Sequence, residues 1–295
     1  MSQETGRERR VEGSGAGPTV AYRLSGGGND FIALAEPRKA PDKETIRAWC
    51  TRGLSLGADG LFVLRRAAGC LRMDYFNADG HPADLCLNGT RCAAQLAAHL
   101  GWIETPLAIE TGAGTIHAEV LDAERVRLHL EPPPRPPEKR TLCVAGSLHH
   151  GWFLTVGVPQ FVIFWPESLL EAPVVELGAA LRRHRVFGDA GTNVMFVRCP
   201  TPHRLEIRAY ERGVEAETLA CGTGVLAATA AGIAEGALAL PLDALTRGGF
   251  EFTVDGTTDE HGRISRWSLA GDARLLTRLE IEPGAGRLPP PPTWS

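Results

Sequence analysis

Tyr75-Phe76-Asn77-Ala78-Asp79-Gly80 leads, eleven residues after Tyr75, to Cys86-Leu87-Asn88-Gly89-Thr90-Arg91. Tyr210-Glu211-Arg212-Gly213 leads, eleven residues after Tyr210, to Cys221-Gly222-Thr223-Gly224. A strand-like run precedes each tyrosine. An Ala-rich run follows each cysteine and reads as a helix, over 86–100 and 221–235. Helices with so many small residues are wrapped closely by other elements. The repeat implies two related domains that share one site, with a thiol from each.

The bulk numbers set bounds on this reading. A chain of 295 residues is long enough for two domains of ordinary size, each with its own core. Hydrophobic content of 43% and charged content of 22% are those of a soluble globular protein. A formal net charge of -4 gives no broad basic surface, so nucleic acid is not expected as a partner. Residues 1–17 are polar and Gly-rich, without the apolar stretch of a signal peptide, and read as a disordered tail. The longest uncharged run, Leu219 to Ala234, falls short of the roughly 20 residues a membrane span needs. A cytoplasmic protein is expected. Seven cysteines spread over the chain do not suggest a disulfide framework, and no Cys-x-x-Cys supports a zinc site.

Along the chain, Val20–Leu24, a Gly26-Gly27-Gly28 turn and Asn29–Leu34 read as a hairpin that presents Asn29. The glycines lack dinucleotide-loop spacing. Asp42 caps an expected helix over 42–52. Strands are expected over 61–65, 71–76, 109–111, 116–120 and 126–130. Five prolines between 132 and 137 make 132–140 the expected interdomain linker. His149-His150 is placed in a loop before a strand. In the second half, strands over 153–156 and 161–164 flank a Gly157-Val158-Pro159-Gln160 turn. A helix over 175–184 and strands over 193–198, 205–210, 250–254, 264–269 and 273–279 follow. The expected division is thus 18–131, the linker, 141–272, a closing strand within 273–288 that can return to the first domain, and a 289–295 tail.

A thiol at a helix start faces unpaired N–H groups and the positive end of the dipole, which favour the thiolate. The same N–H groups bind a carboxylate. Two such starts, packed face to face, place one carbon between two sulfurs. One sulfur removes a proton and the other returns one to the opposite face, inverting the centre. A lone buried cysteine is usually a small hydrophobe; a matched pair of helix-start cysteines is a rarer arrangement. Cys50, Cys70, Cys92, Cys143 and Cys199 are read as structural. Glu211 can orient or exchange protons with the neighbouring thiol, or be a solvated strand-end charge. Arg212 is suited to gripping a second carboxylate.

These residues resemble diaminopimelate epimerase, the cofactor-independent two-cysteine epimerase of lysine and cell-wall biosynthesis. The likeness runs over about residues 20–282. It is carried by Gly28-Asn29-Asp30-Phe31, Gly57-Ala58-Asp59-Gly60, Asn77-Ala78-Asp79-Gly80 and Cys86 with Asn88-Gly89 and Arg91-Cys92. It continues in Gly191-Thr192-Asn193-Val194, Glu211-Arg212-Gly213, Glu217-Thr218 and Cys221-Gly222-Thr223-Gly224. The resemblance implies an α/β (α+β) fold of two pseudo-symmetric domains. Each is a curved, mostly antiparallel sheet wrapped round a central helix, with the site in the cleft between them. It implies Cys86 and Cys221 as the acid/base thiols. It implies that Asn29, Asn77, Asn88, Asn193, Glu211 and Arg212 hold the substrate, with backbone N–H groups of Leu87, Gly222 and Thr223 on its carboxylate. A small amino-acid substrate, a homodimer and no PLP or metal are implied as well.

Three departures from the family pattern stand out. Leu87 replaces a glycine and crowds the first thiol. Val158 and Gln160 replace an asparagine and a histidine. The loop from Arg212 to Cys221 is one residue longer, through Glu215-Ala216. Three readings stay open on the residues: epimerisation of diaminopimelate, racemisation of another amino acid, and a thiol pair that switches by forming a disulfide.

Overall fold

The computed structural model describes residues 17–102 and 107–288. The expected tails at 1–17 and 289–295 lie outside these, residue 17 apart.

β1 (Thr19–Gly26) and β2 (Asn29–Ala35) form the first hairpin. Gly27 and Gly28 between them have φ of 57° and 79°, the left-handed pair that matches strand twist in a two-residue turn. Gly26 pairs with Asn29, so that asparagine sits at the hairpin's end. α1 (Lys43–Cys50), capped by the Asp42 carboxylate, carries the chain to β3 (Gly60–Ala67), parallel to β2. β4 (Cys70–Asn77) returns antiparallel. α2 (Leu87–His99) then crosses to β5 (Leu107–Thr111), parallel to β4, and β6 (Gly114–Val120) and β7 (Arg125–Leu130) close the first domain.

The second domain runs through the same plan. β8 (Glu138–Val144) and β9 (Ser147–Val156) lead into β10 (Val158–Phe164). α3 (Val174–Arg182) crosses to β11 (Asn193–Thr201), parallel to β10, and β12 (Arg204–Glu211) returns antiparallel. After a short β13 (Ala216–Thr218), α4 (Gly222–Glu235) crosses to β14 (Leu242–Thr246), parallel to β12. β15 (Glu251–Thr258) and β16 (Ile264–Asp272) follow antiparallel. β17 (Arg274–Ile281) then pairs with β1 in the first domain. The β7–β16 ladder joins both domains into one continuous sheet.

Helix placement follows from side-chain size. α2 buries every residue from Leu87 to Ala97, and α4 buries most of its length. Both belong to one apolar cluster shared with the inner faces of the sheets. Helices this rich in Ala and Gly admit strands on all sides. α1 and α3 are amphipathic and cover the outer faces, each over a separate smaller cluster.

Ladder register revises the tyrosine repeat. Gly60 opens β3 opposite Asn77, and Asn193 opens β11 in the corresponding place; with Val194 opposite Tyr210, Asn193 comes opposite Glu211. Asn77 and Glu211 are therefore equivalent, and so are Phe76 and Tyr210. Phe76 and Tyr210 both face the outer clusters, while Tyr75 packs toward the central one. Because strand side chains alternate, a slip of one residue changes the face. The equal spacing of eleven arises because the second copy holds one extra residue before its cysteine.

Several expectations need correction. The linker ends earlier than expected, because β8 starts at Glu138, directly after the last proline. Gly157 alone makes the turn between β9 and β10; Val158, Pro159 and Gln160 lie in the strand. His149 and His150 lie within β9, since the β8–β9 ribbon extends beyond its apolar part to a turn at Ala145-Gly146. β13 and β14 carried too short an apolar signal to be anticipated.

The seam between domains rests on Trp267. It is 3% exposed, lies opposite Leu130 in the β7–β16 ladder, and donates from Nε1 to the Glu131 carbonyl at 3.0 Å. Trp267→Ala is expected to lower the unfolding free energy by about 3–5 kcal/mol in urea denaturation. A loss below about 1 kcal/mol would show that this side chain does not hold the seam.

Candidate active site

The N-termini of α2 and α4 meet at the domain boundary. A Cβ on Gly222 would stand 3.5 Å from the Leu87 Cβ and 3.3 Å from Leu269 Cδ2. Leu87 is 5% exposed and packs into the central core against this glycine. The expected crowding of the first thiol is thus relieved, because the leucine side chain turns toward the opposing helix start. Beside this contact lies a cavity of about 600 Å³. All eleven residues expected at the site line it: Cys86, Cys221, Asn29, Asn77, Leu87, Asn88, Asn193, Glu211, Arg212, Gly222 and Thr223.

Both cysteines occupy the N-cap positions of their helices, with extended backbone, and both are free thiols. The Gly89 N–H donates to Cys86 Sγ at 3.4 Å. The first intrahelical hydrogen bonds run from Thr90 to the Cys86 carbonyl and from Val225 to the Cys221 carbonyl. The N–H groups of Leu87, Asn88, Gly222 and Thr223 therefore have no backbone partner within their helices. Two helix starts with free donors, facing one cavity, form a cradle for an anion.

Burial works against the thiolate that a helix start by itself favours. Burial pushes the Cys86 thiol above its ordinary value, against the pull of the Gly89 N–H, the Tyr75 hydroxyl and the Arg91 charge. Burial pushes Cys221 further up, and the negative charge of Glu211 adds to it. Magnitudes explain the outcome. A helix start contributes about 0.3–1 kcal/mol, less than one pKa unit. Burial shifts a thiol by up to about 3–5 units.

The two sulfurs have different neighbours because equivalent positions carry different side chains: Tyr75 matches Ala209, and Asn77 matches Glu211. Tyr75 brings its hydroxyl to Cys86, and burial keeps that phenol protonated. Gly60 makes this approach feasible, since a Cβ there would stand 2.6 Å from the Tyr75 oxygen. Glu211 faces Cys221 instead. Its carboxyl accepts from the Thr218 hydroxyl at 2.6 Å, and burial raises its pKa. The expected alternative of a solvated strand-end charge does not hold for Glu211.

The asparagines divide by function. Asn88 is 5% exposed; its Nδ2 donates to Asn29 Oδ1 at 2.8 Å and its Oδ1 accepts from Arg91 Nη2 at 2.6 Å. Asn29 in turn donates to Asp59 Oδ2 at 3.1 Å, and Arg52 ties Asp59 to Asp30. Both amides are engaged with protein, so what Asn88 offers the cavity is its backbone N–H. Asn193 Oδ1 accepts the Arg212 N–H at 2.9 Å, which fixes the Arg212 backbone. Among the described residues, no hydrogen bond or ion pair engages the Arg212 guanidinium or the Asn77 amide. Glu217 pairs with Arg208 through both carboxylate oxygens, at 2.6 and 2.7 Å, away from the thiols. Glu215, the extra residue, has φ 58° and is held by Arg182 at 2.7 Å and Arg183 at 3.1 Å. Tyr75, Asp59, Thr218 and Arg91 were not anticipated as site residues. Their motifs were visible, but their contacts cross from one element to another.

The diaminopimelate epimerase family model matches residues 22–134 and 152–266, one segment in each domain. A diaminopimelate epimerase of Aquifex aeolicus is 37% identical over 254 residues, covering 81% of this chain and 90% of its own. One from Gemmatimonas aurantiaca is 34% identical over 274 residues, covering 88% and 98%. In fold, the chain is similar to a probable proline racemase from Agrobacterium radiobacter K84, with TM-score 0.68 and 16% identity over 90% of this chain and 95% of that one. It is also similar to a hydroxyproline epimerase from Agrobacterium vitis, with TM-score 0.66 and 15% identity over 91% and 94%. These likenesses establish the mixed α+β fold of two repeated domains. No helix among the described residues is long and apolar enough to cross a membrane. By its sequence over both domains, the chain belongs to the diaminopimelate epimerase family.

Proposed function

We propose that this chain is an isomerase that interconverts LL- and meso-diaminopimelate by two-base proton transfer between Cys86 and Cys221. The observation that carries this reading is the meeting of two thiol-capped helix starts in one cavity. The α-carboxylate lies across the free N–H groups of Leu87, Asn88, Gly222 and Thr223, which places the α-carbon between the sulfurs. The Arg212 and Asn77 side chains, without partners among the described residues, face the far end of the substrate and suit its second carboxylate. The family likeness also supports a homodimer acting in the cytoplasm; light scattering giving the mass of a single chain would refute the dimer.

Because both thiols are held protonated, one proton must leave before exchange begins. Glu211 takes it from Cys221. The Cys221 thiolate then removes the α-proton, and the Cys86 thiol delivers its own proton to the opposite face. The Cys86 thiolate that results is held by the Tyr75 hydroxyl and the Gly89 N–H. Substrate of the other configuration runs the steps in reverse. Val158 and Val214 give the cavity wall an apolar stretch, which favours a second reading, racemisation of an amino acid with an apolar side chain.

Purified enzyme in deuterated water is expected to place deuterium at the α-carbon of LL-diaminopimelate. Failure to do so with reduced thiols would sink the proposal, and faster exchange on a panel of apolar amino acids would favour the second reading. Cys86→Ser and Cys221→Ser are each expected to lower epimerisation by roughly 100- to 10,000-fold, the range of a lost acid or base. Cys143→Ser, at an exposed position, serves as the control.

The pH dependence has a defined sign. Glu211 must be ionised to take the Cys221 proton, and burial raises its pKa above the ordinary carboxylate value, so the competent form grows as pH rises through the Glu211 range. kcat/KM is expected to increase between about pH 5 and about pH 7. A flat or falling profile over that interval would contradict the proposed protonation states.

A further inference from the structure

Gln160 is fully buried in β10, in register with Asn193 of β11. Its Nε2 donates to the Thr223 Oγ1 at 3.1 Å. The Thr223 Oγ1 in turn lies 3.5 Å from the Cys221 sulfur. The amide oxygen of Gln160 is buried with no hydrogen-bond partner among the described residues. A buried amide left half-paired costs stability, so packing alone does not account for a glutamine here.

A hydroxyl carries one proton. The Thr223 oxygen accepts from Gln160, so its own proton points elsewhere, and the Cys221 sulfur is within reach. We propose that Gln160 is a positioning residue for Cys221: it orients the Thr223 hydroxyl so that its proton is directed at the sulfur. A donor aimed at the sulfur stabilises the thiolate more than the thiol. It therefore counters the opposing influence of Glu211 on the same atom. The geometry also explains how a strand residue outside the cavity lining bears on the site. Gln160 acts across the gap between β10 and the first turn of α4. The proposal rests on the reading of Cys221 as an acid/base group.

The test reads thiol reactivity in the intact enzyme without substrate. Initial rates of Cys221 alkylation by iodoacetamide are measured across pH, with the modified peptide quantified by mass spectrometry. Gln160→Met keeps the side-chain volume, and Thr223→Val keeps the shape without the hydroxyl. Each is expected to slow Cys221 alkylation about tenfold below its midpoint, one unit of pKa. Thr223→Ser, which restores the hydroxyl, is expected to stay near the wild-type rate, and Cys86 in the same samples is expected to be unchanged. The double variant Gln160→Met with Thr223→Val is expected to be no slower than Thr223→Val alone, because both act through one hydroxyl. A Cys221 profile that is unchanged or faster in Thr223→Val overturns the proposal, and so do additive effects in the double variant. Failure of deuterium exchange with substrate would sink the epimerase reading by itself, since alkylation needs no turnover.

Discussion

Two helices begin at the same place. Leu87 of α2 rests on Gly222 of α4, and the rest of the architecture serves that contact. Each helix must be small-sided to be enclosed by its own sheet. Each must also start at the domain boundary, so that its first N–H groups remain unpaired. A Cβ on Gly222 would be in ordinary contact with Leu87 and would ask only a small shift of the Leu269 side chain, so the two starts are packed closely but without strain. The family pattern carries a glycine after the cysteine at both helix starts, and Leu87 departs from it at the first.

The site gains its chemistry from an imperfect repeat. Two identical halves would place the same groups beside both sulfurs. Tyr75 and Glu211 stand at positions whose counterparts in the other half are Ala209 and Asn77. One sulfur therefore meets a phenol and a buried cation, and the other meets a carboxylate and a threonine. The Glu215 clamp by Arg182 and Arg183 absorbs the inserted residue outside the cavity, where it does not disturb Arg212.

Much of this was legible in sequence. The helix-start cysteines, the two-domain plan and eleven of the residues that line the cavity follow from motifs that local physics and family likeness make readable. The misreadings share a cause. Equal spacing from tyrosine to cysteine suggested a register that only the ladders could correct, because one residue decides which face a side chain takes. The effect of burial on the thiols was not legible, because a helix start is a local feature whereas burial depends on both domains. The hydrogen-bond chain through Gln160 joins residues 63 positions apart, and no spacing rule would link them. β8 and the outer part of β9 carry polar ribbons whose pairing is visible only once their partners are in place.

The ladder from Trp267–Leu130 to Asp272–Arg125 has a mechanical consequence. Domains tied by a loose tether can part freely, and the proline-rich segment offers such a tether. Here the sheet itself runs across the boundary. Separating the halves means twisting a hydrogen-bonded ribbon or unzipping it, and β17 restrains them a second time by returning to β1. Two strand pairings across the boundary thus oppose a wide opening of the domains more than a hinge would, and with it any large change in the spacing of the two helix starts.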